Sequence, residues 1–152
     1  MEMSRDIDGF ETLDESECMA LLARMRHPIG RVGVGIGVVP MIFPVNYALA
    51  GGAVYFFTGV GVKLRAALKN QVVGFEIDEF DAQYHEGVSV FVMGIAEVIT
   101  DPETVVWAHA LVMPWAPGPR AELVRIVPEF VSGRRIRHGF VSPDDGPEEV
   151  VK

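Results

Sequence analysis

The chain has one cysteine, Cys18, among 152 residues, so an internal disulfide is excluded. Its start is polar, with Glu2, Arg5, Asp6 and Asp8 where a signal peptide would carry an apolar run, and the expected location is a reducing cytoplasm. Long apolar runs are lacking as well. Arg, Pro, Asn or Gly interrupts each one before the ~18 residues of a membrane span, so no membrane partner is expected. Positive charge is scarce: 13 Lys and Arg stand against 21 Asp and Glu, for a net charge of -8. A surface of that sign repels phosphate backbones, which excludes general nucleic-acid binding. The histidines His27, His85, His109 and His138 are scattered, none paired at i, i+4 with another ligand, so no metal site is expected and each reads as structural or surface. There is no Gly-x-Ser-x-Gly elbow, and the glycines from Gly33 to Gly37 alternate along a strand instead of opening a helix. Hydrolase-elbow and Rossmann readings fall with them.

What is present is a globular balance, 49% hydrophobic and 22% charged, in a length that fits one domain. The domain is expected over residues 13–142, between a polar leader at 1–12 and a frayed tail at 143–152. Asp14 with Glu17 three residues later has the form of a capping box, and Leu13 is placed to staple against Cys18. Cys18, Leu21, Leu22 and Met25 then repeat at helical spacing, so Cys18 reads as a small core residue, with the helix stopping at His27-Pro28. From Arg31 the period becomes two. Val32, Val34 and Ile36 alternate with Gly33, Gly35 and Gly37, a strand with one bare face that a helix or a partner chain should cover.

Met41 to Leu49 and Ala53 to Thr58 continue as strands, and Pro44, lacking a donor, belongs on an edge, at a bulge or beside a ligand. A short helix from Lys63 to Lys69 is followed by strands at Val72 to Asp78 and Val88 to Ile99, with Gly94 as a bulge where a barrel closes. Asp101 caps a further helix that has Pro102 at its first position and ends before Pro114. Leu123–Val127 and Val131–Ile136 read as strand on either side of Pro128. Links this short rule out crossovers, so the fold class is mainly β with short helices, an antiparallel barrel.

Two basic clusters stand out against the acidic total: Lys63, Arg65 and Lys69, and Arg134, Arg135, Arg137 and His138. Either can hold a small anion or be a solvated face. At Phe57-Thr58-Gly59-Val60-Gly61-Val62-Lys63-Leu64 a strand ends, glycines free the backbone, and a lysine enters a helix start, where unpaired amides favour a phosphate. The alternative is a glycine turn followed by a solvent-facing lysine.

Pro44-Val45-Asn46-Tyr47, Phe57-Thr58 with Gly61-x-Lys63-Leu64, Phe75-Glu76-Ile77-Asp78, Gly87-x-Ser89-Val90 with Gly94, Pro114-Trp115-Ala116-Pro117 and Gly133-Arg134-Arg135 occur in this order. Their order and spacing resemble the FMN-binding split barrels of the pyridoxamine 5'-phosphate oxidase-like family. The resemblance runs from about Leu13 to Ile136. It implies an antiparallel split β-barrel that forms a homodimer, with FMN in a groove between the chains and hydride chemistry on a small-molecule substrate. Pro44, Val45 and Asn46 would lie along the flavin ring. Phe57, Thr58, Val62, Lys63 and Leu64 would form the phosphate segment, and Trp115 with Arg120 would face the cofactor from a rigid loop. The chain departs from the pattern at Val62, where the family usually has Thr or Ser. Two other readings of the fold are use of the deazaflavin F420 by a reductase, and a cofactor-free or flavin-storing dimer without turnover.

Overall fold

The computed structural model describes residues 10–59, 61–115 and 122–137, apart from the side chains of residues 62 and 63. Along the chain run β1 (Glu11–Leu13), α1 (Glu15–Arg24), β2 (Ile29–Ile36), β3 (Val39–Ala50) and β4 (Ala53–Thr58). After them come α2 (Val62–Leu68), β5 (Gln71–Asp81), β6 (Glu86–Ile99), α3 (Pro102–Leu111) and β7 (Glu122–Ile136). Every strand pairing is antiparallel. The order is β1-β7-β4-β3-β2-β5-β6, and β6 returns to pair with β7. That return closes the sheet into a barrel, which covers most of its strand edges.

The interior is filled by alternate residues of the strands, among them Val32, Tyr47, Phe56, Phe75, Val92 and Val124, all nearly or fully buried. One end is covered by α1, whose capping box is formed: the Glu17 N–H donates to Asp14 Oδ1 at 2.8 Å and the Asp14 N–H to Glu17 Oε2 at 2.9 Å. Cys18 on this helix is fully buried, and a Cβ on Gly133 would lie 2.5 Å from its sulfur, so α1 rests directly on the β7 backbone. Burial, with Glu17 adding, pushes the Cys18 thiol pKa up, in keeping with a packing role. The helix stops at Arg24, earlier than His27-Pro28, because Met25 has already left helical backbone, with φ -57° and ψ 127°. The buried Tyr47 hydroxyl donates to the Leu22 carbonyl at 2.7 Å, satisfying one of the acceptors that a further turn would have used.

Two features of the strands differ from the sequence reading. Pro128 does not divide two strands: β7 is continuous and Pro128 sits at a register shift, with Gly94 opposite Pro128 but Met93 opposite Phe130. The bulge expected at Gly94 and the break expected at Pro128 are two sides of one irregularity. A Cβ on Gly94 would lie only 2.0 Å from the Val127 carbonyl oxygen, so glycine permits this approach. The other difference is β1, which begins within the leader. Its three residues pair with Gly133–Arg135, where β4 has left the edge of β7 free.

The bare face of β2 is open in the single chain. A Cβ on Gly33 would meet only the Gly74 carbonyl oxygen, 3.9 Å away. Gly33 stands opposite Ile42 on one side and Gly74 on the other, Gly74 opposite Met93, and Met93 opposite Phe130. This outward row therefore carries two glycines between Ile42, Met93 and Phe130, which are 75%, 38% and 50% exposed. Arg31 borders it, ion-paired with Glu76 at 3.1 Å and Asp78 at 3.4 Å. No helix among the described residues is long and apolar enough to cross a membrane.

Candidate functional site

The barrel opens where β3 and β4 part. They pair from Tyr47 opposite Phe56 to Ala50 opposite Ala53, and beyond that β3 keeps only β2 as a neighbour while β4 continues along β7. Two lips result: Pro44, Val45 and Asn46 on one, Phe57 and Thr58 on the other. Pro44 lies on the open stretch of β3, an edge that tolerates a residue without a donor. Alternation fixes the directions. Val45 and Thr58 are buried at 7% and 8% exposure, whereas Asn46 and Phe57 belong to the outward set.

Asn46 is the informative residue. Its Oδ1 accepts the backbone N–H of Trp115 at 2.9 Å, a contact across 69 positions of sequence. Its Nδ2 is buried and has no hydrogen-bond partner among the described residues. An unmade buried amide donor costs about 1–3 kcal/mol, so this atom calls for an acceptor beyond the described residues. Trp115, which the sequence assigned to the groove, is 63% exposed beside this lip and belongs to neither hydrophobic core. Its indole meets the His27 ring edge-on, centroids 6.0 Å apart.

On the other lip the Thr58 hydroxyl makes one long bond, 3.4 Å, to the Gly59 carbonyl. Gly61 caps α2, its carbonyl accepting from the Arg65 N–H at 2.8 Å, and Leu64 packs on the main core. Val62 and Lys63 open α2 through their backbone, and their side chains lie outside the described residues, as does Arg120. Arg65 is ion-paired with Glu122, the residue opposite Thr58, at 3.2 Å.

Of the second basic cluster, Arg134, Arg135 and Arg137 have partners within the chain, and His138 lies outside the described residues. Glu11, 9% exposed, pairs with Arg135 at 3.6 Å and with Arg137 at 2.8 Å, and Arg134 lies 5.6 Å from the Phe10 ring centroid. The anion that this cluster holds is a side chain of β1.

Sequence reasoning missed two histidines beside the lips. His27 could have been found from pairing, because Ile29 stands opposite Asn46 and His27 precedes it by two residues. His109, on α3, stacks on Phe57 with centroids 4.2 Å apart and planes 18° from parallel. Its signal was helix phase: α3 turns Ala108 and Val112 onto Ala53, Tyr55 and Leu123 of the outer barrel wall, which leaves His109 beside the same strand.

The model of the pyridoxamine 5'-phosphate oxidase family matches residues 14–135. The chain belongs to that family. Among its similar members, the uncharacterized protein Rv0080 of Mycobacterium tuberculosis is 36% identical over 129 residues, 82% of this chain and 84% of that protein. The FAD binding protein from Mycobacterium smegmatis superposes with TM-score 0.68 at 32% identity, covering 83% of this chain and 98% of that one. A FAD-binding protein from Mesorhizobium loti does so with TM-score 0.66 at 27% identity, over 83% and 97% of the two chains. Within the pyridoxamine 5'-phosphate oxidase family, then, this chain has the split-barrel fold that flavin-binding relatives share, and its split is bounded by the motif residues Pro44–Asn46, Phe57–Thr58 and Trp115.

Proposed function

We propose that the protein is a flavin-dependent oxidoreductase that takes the FMN moiety into the split between β3 and β4. The observation that carries this reading is the buried Asn46 Nδ2, a donor without a partner, at the lip where the flavin ring is expected. A flavin ring is edged with carbonyl oxygens and ring nitrogens, so the residues present fit the group. When bound, the flavin supplies hydride chemistry. The chain's own part is to hold and orient: Asn46 donates to the ring edge, Trp115 covers the mouth, and Thr58, the amides after Gly61 and Lys63 take the phosphate. Val62 offers its backbone amide and no hydroxyl, which leaves Lys63 a larger share of the anion affinity. The two relatives named for FAD, at 32% and 27% identity, support a flavin in this fold.

The glycine row, open at Gly33 and overlain at Gly74 by the Phe91 ring, supports a homodimer. An exposed apolar strip that includes bare backbone favours a second copy, whose strands can approach more closely than at a wall of side chains. Cys18, free and buried, fits a cytoplasmic location. An absorption spectrum of the protein as purified tests the cofactor: a yellow protein with a blue-absorbing band is expected. A colourless protein that stays so after dialysis against FMN would favour the cofactor-free dimer.

A further inference from the structure

The edge that β3 turns toward the split is short of donors. Both turns that flank the strand are two residues long, Gly37-Val38 between Ile36 and Val39 and Gly51-Gly52 between Ala50 and Ala53, with all three glycines at positive φ. In such a hairpin the residues that flank the turn exchange both N–H···O bonds, and every second residue repeats this. Val39, Met41, Phe43 and Val45 therefore bond to β2, whereas Ala50 and Ala48 bond to β4. The same alternation turns Asn46, Pro44, Ile42 and Pro40 toward the split. Two of these four are prolines, with no N–H to give.

On the opposite lip Ala53 and Tyr55 face β3, so Phe57 and Gly59 follow them, while the alternate residues are directed at β7. Running the β3–β4 register on would set Asn46 opposite Phe57 and Pro44 opposite Gly59, each a place for a two-bond pair. The ladder instead ends at Tyr47 opposite Phe56. At Pro44 and Gly59 a closed ladder would lack the β3 donor, and so lose one of the bonds needed to draw the lips together.

The outer part of the strand has the same deficit. β5 takes up β2 only at Arg31–Gly33, so beyond it the β2–β3 hairpin has no further strand on either edge among the described residues. Val38 and Ile42, 98% and 75% exposed, lie on this arm, and no charged residue occurs between Arg31 and Lys63. A bare apolar edge recruits other strands unless charge or proline blunts it, and proline is the device present.

We propose that Pro44 and Pro40 are positioning residues of the split: by withholding two of the four donors that β3 turns toward it, they stop the ladder at Tyr47 and Phe56 and hold the lips apart. The split needs this whatever it takes up; the effect on FMN rests on the flavin reading above.

The test is amide hydrogen exchange and FMN titration on wild type and Pro44→Val, with sedimentation of Pro40→Val. In wild type apoprotein the Gly59 amide, which faces the open split, should exchange fast. Pro44→Val restores the missing donor, so exchange at Gly59 should slow and FMN should bind more weakly, each by at least about tenfold, the worth of one added hydrogen bond. Unchanged exchange at Gly59 overturns the proposal, even if FMN affinity falls, because Pro44 would then act by touching the ligand. Slowed exchange with FMN affinity unchanged leaves the proposal standing and moves the flavin out of the split. If FMN does not bind wild type, the flavin reading falls and exchange alone decides. Should Pro44→Val fail to fold, Pro40→Val carries the decision: its freed edge should give species larger than wild type that grow with concentration, and a size equal to wild type overturns the proposal.

Discussion

Replacing Asn46 by leucine should move stability and binding in opposite directions. Among the described residues the Asn46 side chain makes one hydrogen bond, from the Trp115 N–H to Oδ1, and buries Nδ2 without a partner. Losing the first costs about 0.5–1.5 kcal/mol, while removing the orphan donor returns about 1–3 kcal/mol. Leucine has the branching of asparagine with bulkier methyl groups in place of the amide atoms and adds apolar contact, so where the lip accommodates them the apoprotein should be unchanged or stabilised by up to ~2 kcal/mol. The ligand loses the donor that Nδ2 was held ready to give. A cost of about 1–2 kcal/mol there is roughly a five- to thirtyfold rise in the Kd for FMN. Thermal denaturation of apoprotein with and without the substitution reads the first effect, and titration with FMN followed by quenching of flavin fluorescence reads the second. A clear fall in apoprotein stability with unchanged FMN affinity would refute the reasoning, because it would make Asn46 a structural residue that anchors Trp115.

Three further outcomes follow from the fold. Met93→Glu places a charge in the outward row of Ile42, Gly33, Gly74, Met93 and Phe130, so sedimentation is expected to show a dimer for wild type and a monomer for the variant, with far-UV circular dichroism unchanged; an intact dimer in the variant would move the interface elsewhere. Tyr47→Phe removes the hydroxyl that holds the Leu22 carbonyl at the end of α1, and should cost about 1–2 kcal/mol, a Tm drop of roughly 2–8 °C. Asp101 caps α3 by accepting from the Thr104 hydroxyl and N–H, which hold its carboxyl below the ordinary range. A folded-state pKa below the unfolded one gives stability that is present at neutral pH and is lost as pH falls through the folded pKa. The Tm advantage of wild type over Asp101→Ala should therefore shrink in acid; an advantage that is constant with pH would mean that the charge plays no part.

Much of the barrel was legible because its signals were local. The capping box at Asp14 and Glu17, the period-two run from Val32 to Ile36 and the Asp101-Pro102 helix start each depend on neighbours a few residues away. What was missed depended on distant partners. Met25 leaves the helix early where Tyr47 takes up a carbonyl, β1 exists because β4 vacates the β7 edge, and Pro128 fits inside a strand because Gly94 lies opposite. The site divides the same way. The motif gave Pro44, Asn46, Thr58 and Trp115 as members, and pairing brings the first three to the lips of the split. No spacing rule could have given the Trp115 hydrogen bond to Asn46, the donor that it leaves unpaired, or the His109 ring on Phe57, since each is made across the gap between elements.

The claim that the split holds a flavin through its phosphate segment is tested most directly by titrating FMN into wild type, Lys63→Ala and Val62→Thr. Saturable binding is expected in wild type. Lys63→Ala should weaken it by about 2 kcal/mol, near thirtyfold, because a charge-assisted bond is about twice as strong as a neutral one. Val62→Thr, by supplying a hydroxyl beside the proposed phosphate position, should strengthen it by roughly tenfold or more. Equal affinities in all three proteins would show that this segment does not hold the phosphate, and an absence of binding in all three would contradict the account at its centre.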